Sequence, residues 1–393
     1  EMAQTSSEQI RAWTGPALFS FGFRPFFLFG ALWAVAAMCL WIMMLAGRLD
    51  LPTRFDPTSW HAHEFLFGYL GAVLAGFLLT AVPNWTGRLP VVGWPLAGLC
   101  ILWIMGRIAV AFSGYLAPAL VIIVDLSFLI VLWGMIAREI IAGKNWRNMP
   151  VLVLVGFFIA ANLFFHLFYG SYGMRAGLAV TLVLITLIGG KVTPSFTRNW
   201  LAKRGETDLP TPPMQRFDKA VIGATIVTFL VWVSVPDAST VAVALAIIAA
   251  LHCARLHRWK GFKTGSEPLV WILHVAYGFV PLGAFAVAMS ILLPGYITQA
   301  AALHVWTVGA VALMTVGVTT RATLGHTGQM LHAGRGTTLI YLALIAAVGT
   351  RVLADLMPAA RTILLDTTGL LWIGAFIALV VLYGPAMCRP KRA

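Results

Sequence analysis

Charge is what this 393-residue sequence has least of: 10% of its residues are Asp, Glu, Lys or Arg, 60% are hydrophobic, and mean hydropathy is +0.87. A soluble globular chain carries about a quarter charged residues, so a soluble fold is excluded. Cysteine is equally sparse. Cys39, Cys100, Cys253 and Cys388 lie far apart with no CxxC pair, so neither a disulfide framework nor a thiolate metal site is indicated. Long polar segments are missing too. The longest, "TRNWLAKRGETDLPTPPMQRFDK" at 197–219, carries three prolines and mixed charge and reads as a loop between halves, not a catalytic module. The opening "EMAQTSSEQIRAWTG" has no apolar core, so no cleavable signal is expected ahead of the first hydrophobic run.

What is present is hydrophobic runs. A membrane-spanning helix needs about 20 mostly apolar residues. Twelve such runs fall at 26–47, 60–82, 94–112, 115–141, 150–170, 176–198, 218–235, 238–257, 268–292, 296–318, 337–357 and 365–386. They are continuous rather than alternating, which predicts helices and excludes a transmembrane barrel. The expected fold is all-α, one polytopic membrane domain over 1–393. The net charge of +13 follows a topological pattern. With the amino terminus inside, the inner loops, termini and flanks hold twenty Lys and Arg, among them Arg11, Arg88, Arg138, Arg255, Lys391 and Arg392. The outer loops hold five: Arg48, Arg54, Arg175, Arg351 and Arg361. That bias predicts both termini in the cytoplasm, and it accounts for the basic excess without a nucleic-acid partner.

A weak internal echo accompanies the runs. The inner ends of spans two, six and ten read "GFLLTAVPNWTGR", "LIGGKVTPSFTRNW" and "TVGVTTRATLGHTG", and Pro83 and Pro194 stand 111 residues apart. The spacing suggests three groups of four helices.

Ionisable residues inside spans cost about 2.5–3.5 kcal/mol each at the bilayer centre, so each requires a reason. His61, His63 and Glu64 open span two on the outer side, Asn162 and His166 close span five at a similar level, and His304 lies in the outer half of span ten. Four histidines from three helices share one layer. His274 lies in the inner half of span nine. His326 and His332 fall in the following inner loop, and His252 and His257 read as solvated ends of span eight.

Histidines gathered at one depth suit a metal or a haem, because neutral imidazole ligates iron and copper without a charge penalty. Each taken singly reads better as a hydrogen-bonded or interfacial residue. The i,i+2 spacing turns His61 and His63 about 200° apart on a helix, so one of them is a ligand and the other a supporting residue. Arg107 in span three and Asp125 in span four lie at similar depth. They either pair with each other, or Arg107, with Arg48, Arg54 or Arg175, meets the carboxylates of a haem.

Five blocks carry a family resemblance: "FRPFFLFG" at 23–30, "WHAHEFLFGY" at 60–69, "GFLLTAVPNWTG" at 76–87, "GGKVTPSFTRNW" at 189–200 and "HVWTVGAVALMTVGVTTRATLGHTG" at 304–328. In these the chain resembles the NnrS family of bacterial membrane proteins over nearly its whole length. The resemblance implies a twelve-helix inner-membrane protein with haem and copper, associated with denitrification and with protection against nitric oxide and nitrosyl-iron species. It assigns no histidine to either metal, implies no turnover of nitric oxide, and identifies no electron donor.

By architecture the pattern also resembles the haem-copper oxidase superfamily, where spans two and ten hold a low-spin haem. Carried over, His61 or His63 faces His304 across haem b, with Glu64 and Arg107 in support. His166 is then a further ligand or a copper site, and His274 with His326 an inner metal pair. The likeness fails at the second centre of those enzymes, since residues 176–235 contain no histidine. A nitric oxide reductase of that type is therefore disfavoured. A transporter, to which the Gly and Pro interruptions of spans two and six point, is the other alternative. The leading expectation is a haem and copper protein of the nitric oxide response.

Overall fold

A computed structural model describes residues 6–168 and 170–390. The first residues of the opening stretch, and Lys391 and Arg392 of the cation count, lie outside the described residues.

Every hydrophobic run forms a helix long enough to cross a membrane, and no strand occurs among the described residues. The spans are, in order, Phe23–Leu45, Pro57–Thr86, Trp94–Ala111, Pro118–Ala142, Trp146–Phe168, Ser171–Lys203, Arg216–Ser234, Ser239–His257, Pro268–Leu292, Gln299–His326, Arg335–Leu356 and Pro358–Cys388. The chain is thus an all-helical integral membrane protein.

Starts and stops follow local chemistry. Asp56 caps span two, accepting from the backbone N–H groups of Thr58 and Ser59 at 3.0 Å each, with Pro57 at the first helical position. Glu267 and Thr298 cap spans nine and ten in the same way. Gly87 ends span two at φ 68°, a left-handed conformation that glycine adopts without strain.

Span two runs past Pro83, just beyond the expected end of its apolar run at 82, and span six carries Pro194 in its interior, as its expected run of 176–198 requires. Pro83 and Pro194 withhold an N–H from the ladder, but hydroxyls bind carbonyls of the neighbouring turns. Thr80 donates to Gly76 O at 2.7 Å and Thr86 to Val82 O at 2.8 Å. Ser195 donates to Lys191 O at 2.6 Å and Thr197 to Thr193 O at 2.8 Å.

The echo between spans two, six and ten has a structural counterpart. Each is interrupted by a π-helical segment, Glu64–Tyr69, Ile185–Gly189 and Val305–Ala312, starting 121 and 120 residues apart. They are also the three most buried spans, at 78, 67 and 72% of their apolar windows, with span nine next at 61%. A π turn spoils the i→i+4 pattern and frees carbonyls. Neighbouring helices supply the donors: Trp103 Nε1 to Gly68 O at 2.9 Å in span two, and Arg255 to Thr186 O at 2.8 Å beside the segment in span six.

The chain divides into two compact units, one of residues 1–180, 322–329 and 379–393, the other of 181–321 and 330–378. In the first, Phe26 packs on Phe128, and Gly76 lets Phe27 lie where a Cβ would come within 2.7 Å of its ring. Buried Arg24 donates to the carbonyls of Ala386, Met387 and Arg389 at 2.6–3.2 Å, capping the carboxyl end of span twelve. In the second, Phe229, Trp232 and Trp306 form an aromatic core, and the Trp306 indole donates to Val280 O at 2.9 Å over Gly283.

Candidate metal centre

Span two turns His63 and Glu64 inward at the point where its π segment begins, and both are fully buried. Span three contributes Arg107, span four Asp125, and span five Asn162 and His166, all buried. Glycines make the approach possible. A Cβ on Gly68 would lie 2.5 Å from the Arg107 guanidinium, and one on Gly106 would lie 3.1 Å from Asp125 Oδ1.

Arg107 bridges both carboxylates. Its NH1 donates to the two oxygens of Glu64 at 2.8 Å, and its NH2 pairs with Asp125 Oδ1. His63 Nδ1 lies 3.0 Å from Glu64 Oε1. Its Nε2 lies 3.0 Å from Asn162 Oδ1 and 3.2 Å from Asp125 Oδ2. Asn162 donates its amide to Asp125 Oδ2 at 2.9 Å, which fixes its oxygen toward His63. His166 Nε2 lies 2.9 Å from the same Asp125 oxygen. Both nitrogens of His63 therefore face only acceptors. His63, Asp125 and His166 each offer one ligand atom, and these atoms lie within 4.8 Å of one another. Phe55, Phe67 and Phe165 line the two imidazoles at ring-centroid distances of 5.2–5.5 Å and keep water away. Two further N–H groups, Arg107 Nε and, beside Gly68, Trp33 Nε1, are buried without an acceptor.

Of the residues singled out in the sequence, His63, Glu64, Arg107 and His166 come together here. Arg107 pairs with Asp125, as one of the two sequence readings had it, and with Glu64 as well. His61 points elsewhere, about 200° round the helix from His63, and stacks on Trp41 at 4.6 Å. His304 belongs to the second unit, where its Nδ1 donates to Ala300 O at 2.7 Å. That bond places the lone pair on Nε2, the tautomer a metal takes. Within their own helices His63 and His304 hold the same position, immediately before the π segment, and the span-six equivalent is Leu184. His274, in the second unit, has its Nε2 2.7 Å from the Thr197 hydroxyl. His326, in the first, packs against Phe21 and Phe23. His326 ends span ten rather than standing in a loop, because that helix continues eight residues beyond its apolar run.

His252 is the clear correction. It is fully buried rather than a solvated end, with Nε2 2.9 Å from the Thr225 hydroxyl and Nδ1 2.9 Å from the Tyr277 hydroxyl. Arg255 beside it is buried too, paired with Asp218 at 2.8 Å. Neighbouring helices cover this end of span eight, which hydropathy along one helix does not reveal. The sequence reading also missed Asp125 as a prospective ligand, although its depth matched that of His166.

The fold and the cluster define a polytopic helical membrane protein with a buried histidine and carboxylate centre. The profile of the family described as NnrS protein matches residues 17–391, nearly the whole chain, and the protein belongs to that family. Membership supports a membrane protein of the nitric oxide response in general terms. No curated protein matches the chain.

Proposed function

We propose that this protein is a haem- and copper-containing membrane protein of the nitrosative stress response, with copper at His63, Asp125 and His166. One observation carries the copper site: His63 faces acceptors at both nitrogens inside a cluster that holds two carboxylates to one guanidinium. With neutral imidazoles, Glu64, Asp125 and Arg107 leave one negative charge. Burying an uncompensated charge costs several kcal/mol, so the cluster calls for a cation, either a second proton on His63 or a metal at its Nε2. Copper suits two imidazoles and a carboxylate, and supplies a redox-active centre that takes a small ligand such as nitric oxide or a nitrosyl-iron species. The protein residues do the rest. Glu64 holds the Nδ1 proton of His63 and so directs Nε2 to the centre, Asn162 and Arg107 fix Asp125, and the phenylalanines exclude water.

Haem b belongs to the same reading, with His61, His63 and His304 as ligand candidates. The tautomer of His304 supports its role. The shared position of His63 and His304 before a π segment favours a second reading for His63, as a haem ligand instead of a copper ligand. The charge bias supports the inner membrane with both termini in the cytoplasm.

The test is metal analysis and optical spectroscopy of the purified protein and of His61→Ala, His63→Ala, His166→Ala and His304→Ala variants, with and without nitric oxide. Copper lost together in the His63 and His166 variants, with haem kept, supports the copper site. Haem lost with His63 while His166→Ala keeps both metals moves His63 to the haem. A parent protein with neither metal overturns the proposal and favours a transporter.

A further inference from the structure

A second charged site lies in the first unit, away from the buried centre. The loop after span two, the start of span three and the far end of span four line an open cavity of about 570 Å³, bordered by Arg88, Arg138 and Glu139 among apolar Leu89, Pro90 and Met135. Glu139, largely buried, receives the Nε of both arginines, Arg138 at 2.7 Å. Each guanidinium keeps its two terminal amino groups for another partner. Two arginines on one carboxylate leave a net charge of +1 at the cavity. The short helix Ser6–Ala12 adds Gln9, whose side-chain oxygen is buried with no donor.

The surroundings are those of a membrane interface. Trp94, at the start of span three, is 72% exposed and meets Trp13 edge to face at 5.8 Å; Trp146, at the start of span five, is 59% exposed. Indoles in this state mark the headgroup level of a bilayer. Arg88 and Arg138 both belong to the cation-rich face.

We propose that this cavity binds the headgroup of an anionic phospholipid from the leaflet on that face. The two guanidinium forks take the single negative charge of a phosphodiester, the Gln9 oxygen accepts from a headgroup hydroxyl, and the apolar wall receives the glycerol and first acyl carbons. Arginine is suited to this because its planar fork meets two phosphate oxygens at once, whereas an exposed lysine offers a point charge.

The experiment is lipid titration of the full chain in nanodiscs or micelles, read by native mass spectrometry, with dioleoylphosphatidylglycerol, dioleoylphosphatidylcholine and inorganic phosphate as separate probes. Each arginine near an anionic headgroup contributes roughly fivefold in affinity, so Arg88→Gln with Arg138→Gln should weaken phosphatidylglycerol binding roughly 25-fold. Lys203→Gln, a cation outside the cavity, should leave it unchanged. Glu139→Gln raises the cavity charge to +2 and should tighten binding, an outcome that loss of folding does not produce. Equal phosphatidylglycerol binding by the parent and the double variant overturns the proposal. So does displacement of the lipid by millimolar inorganic phosphate, which would make this a site for free anions.

Discussion

Two buried polar networks, one in each unit, look alike in composition and differ in their accounts of charge and protons. The second unit joins Asp218, Arg255, Tyr277, His252 and Thr225. One carboxylate meets one guanidinium. Arg255 donates to the Tyr277 oxygen, Tyr277 to His252 Nδ1, His252 Nε2 to Thr225, and Thr225 to Val221 O, so a neutral imidazole satisfies the hydroxyls and both ring nitrogens, while Arg255 NH2 is buried without an acceptor. The first unit joins Glu64, Arg107, Asp125, His63, Asn162 and His166, with two carboxylates to one guanidinium and a histidine that has no donor to accept from. A closed network of the first kind fixes helices relative to each other. An open one reserves a place for a cation.

On the copper reading proposed above, the largest effect separating the two is metal content. His63→Ala or Asp125→Asn should lower copper affinity by more than about 100-fold, beyond the range of supporting residues, whereas His252→Ala should leave copper unchanged; metal analysis of the three proteins checks this. Next comes stability. Arg255→Met strands Asp218 and should cost about 3–5 kcal/mol, while the double variant with Asp218→Leu should recover most of it, because the closed pair cancels. The same rescue should fail at Arg107 with one carboxylate removed, since the other still remains; denaturant unfolding in detergent distinguishes the cases.

A smaller effect sharpens the contrast in protons. If copper replaces the second proton of His63, binding at acidic pH should weaken about tenfold per pH unit, one proton released per metal, as competition titrations would read. Asn162→Ala, which removes only the orienting amide, should cost about 10–100-fold in copper affinity.

The smallest prediction concerns the cap of span two. Burial works to raise the Asp56 carboxyl, but hydrogen bonds from Ser59 and Thr58 outweigh it and hold the group below its ordinary value of 3.8. Its cap is therefore fully present above the ordinary carboxylate range and is lost as pH falls through the lowered value. Asp56→Ala should cost about 1 kcal/mol at neutral pH and nothing in strong acid, by thermal unfolding at the two pH values.

Much of this was legible in the sequence because membrane insertion is read one helix at a time. Apolar length gave all twelve spans, helical phase separated His61 from His63, and depth put His63, Glu64 and His166 in one layer. Helix ends were less legible, since threonine hydroxyls carry span two past Pro83 and span ten runs on to His326. Partnership was least legible. Asp125 as a prospective ligand, Asn162 as its orienting amide and His252 as a buried residue all depend on which faces of different helices meet.

The sequence by itself therefore determined that this is a twelve-helix membrane protein of the NnrS family with its scarce ionisable residues in layers, because the cost of charge in lipid acts on every span locally. Only the tertiary structure decided that two carboxylates, one arginine and two histidines close on one point in the first unit, and that one of each charge closes on itself in the second. That difference arises from packing between helices, where single glycines such as Gly68 and Gly106 set how near a charged side chain can approach.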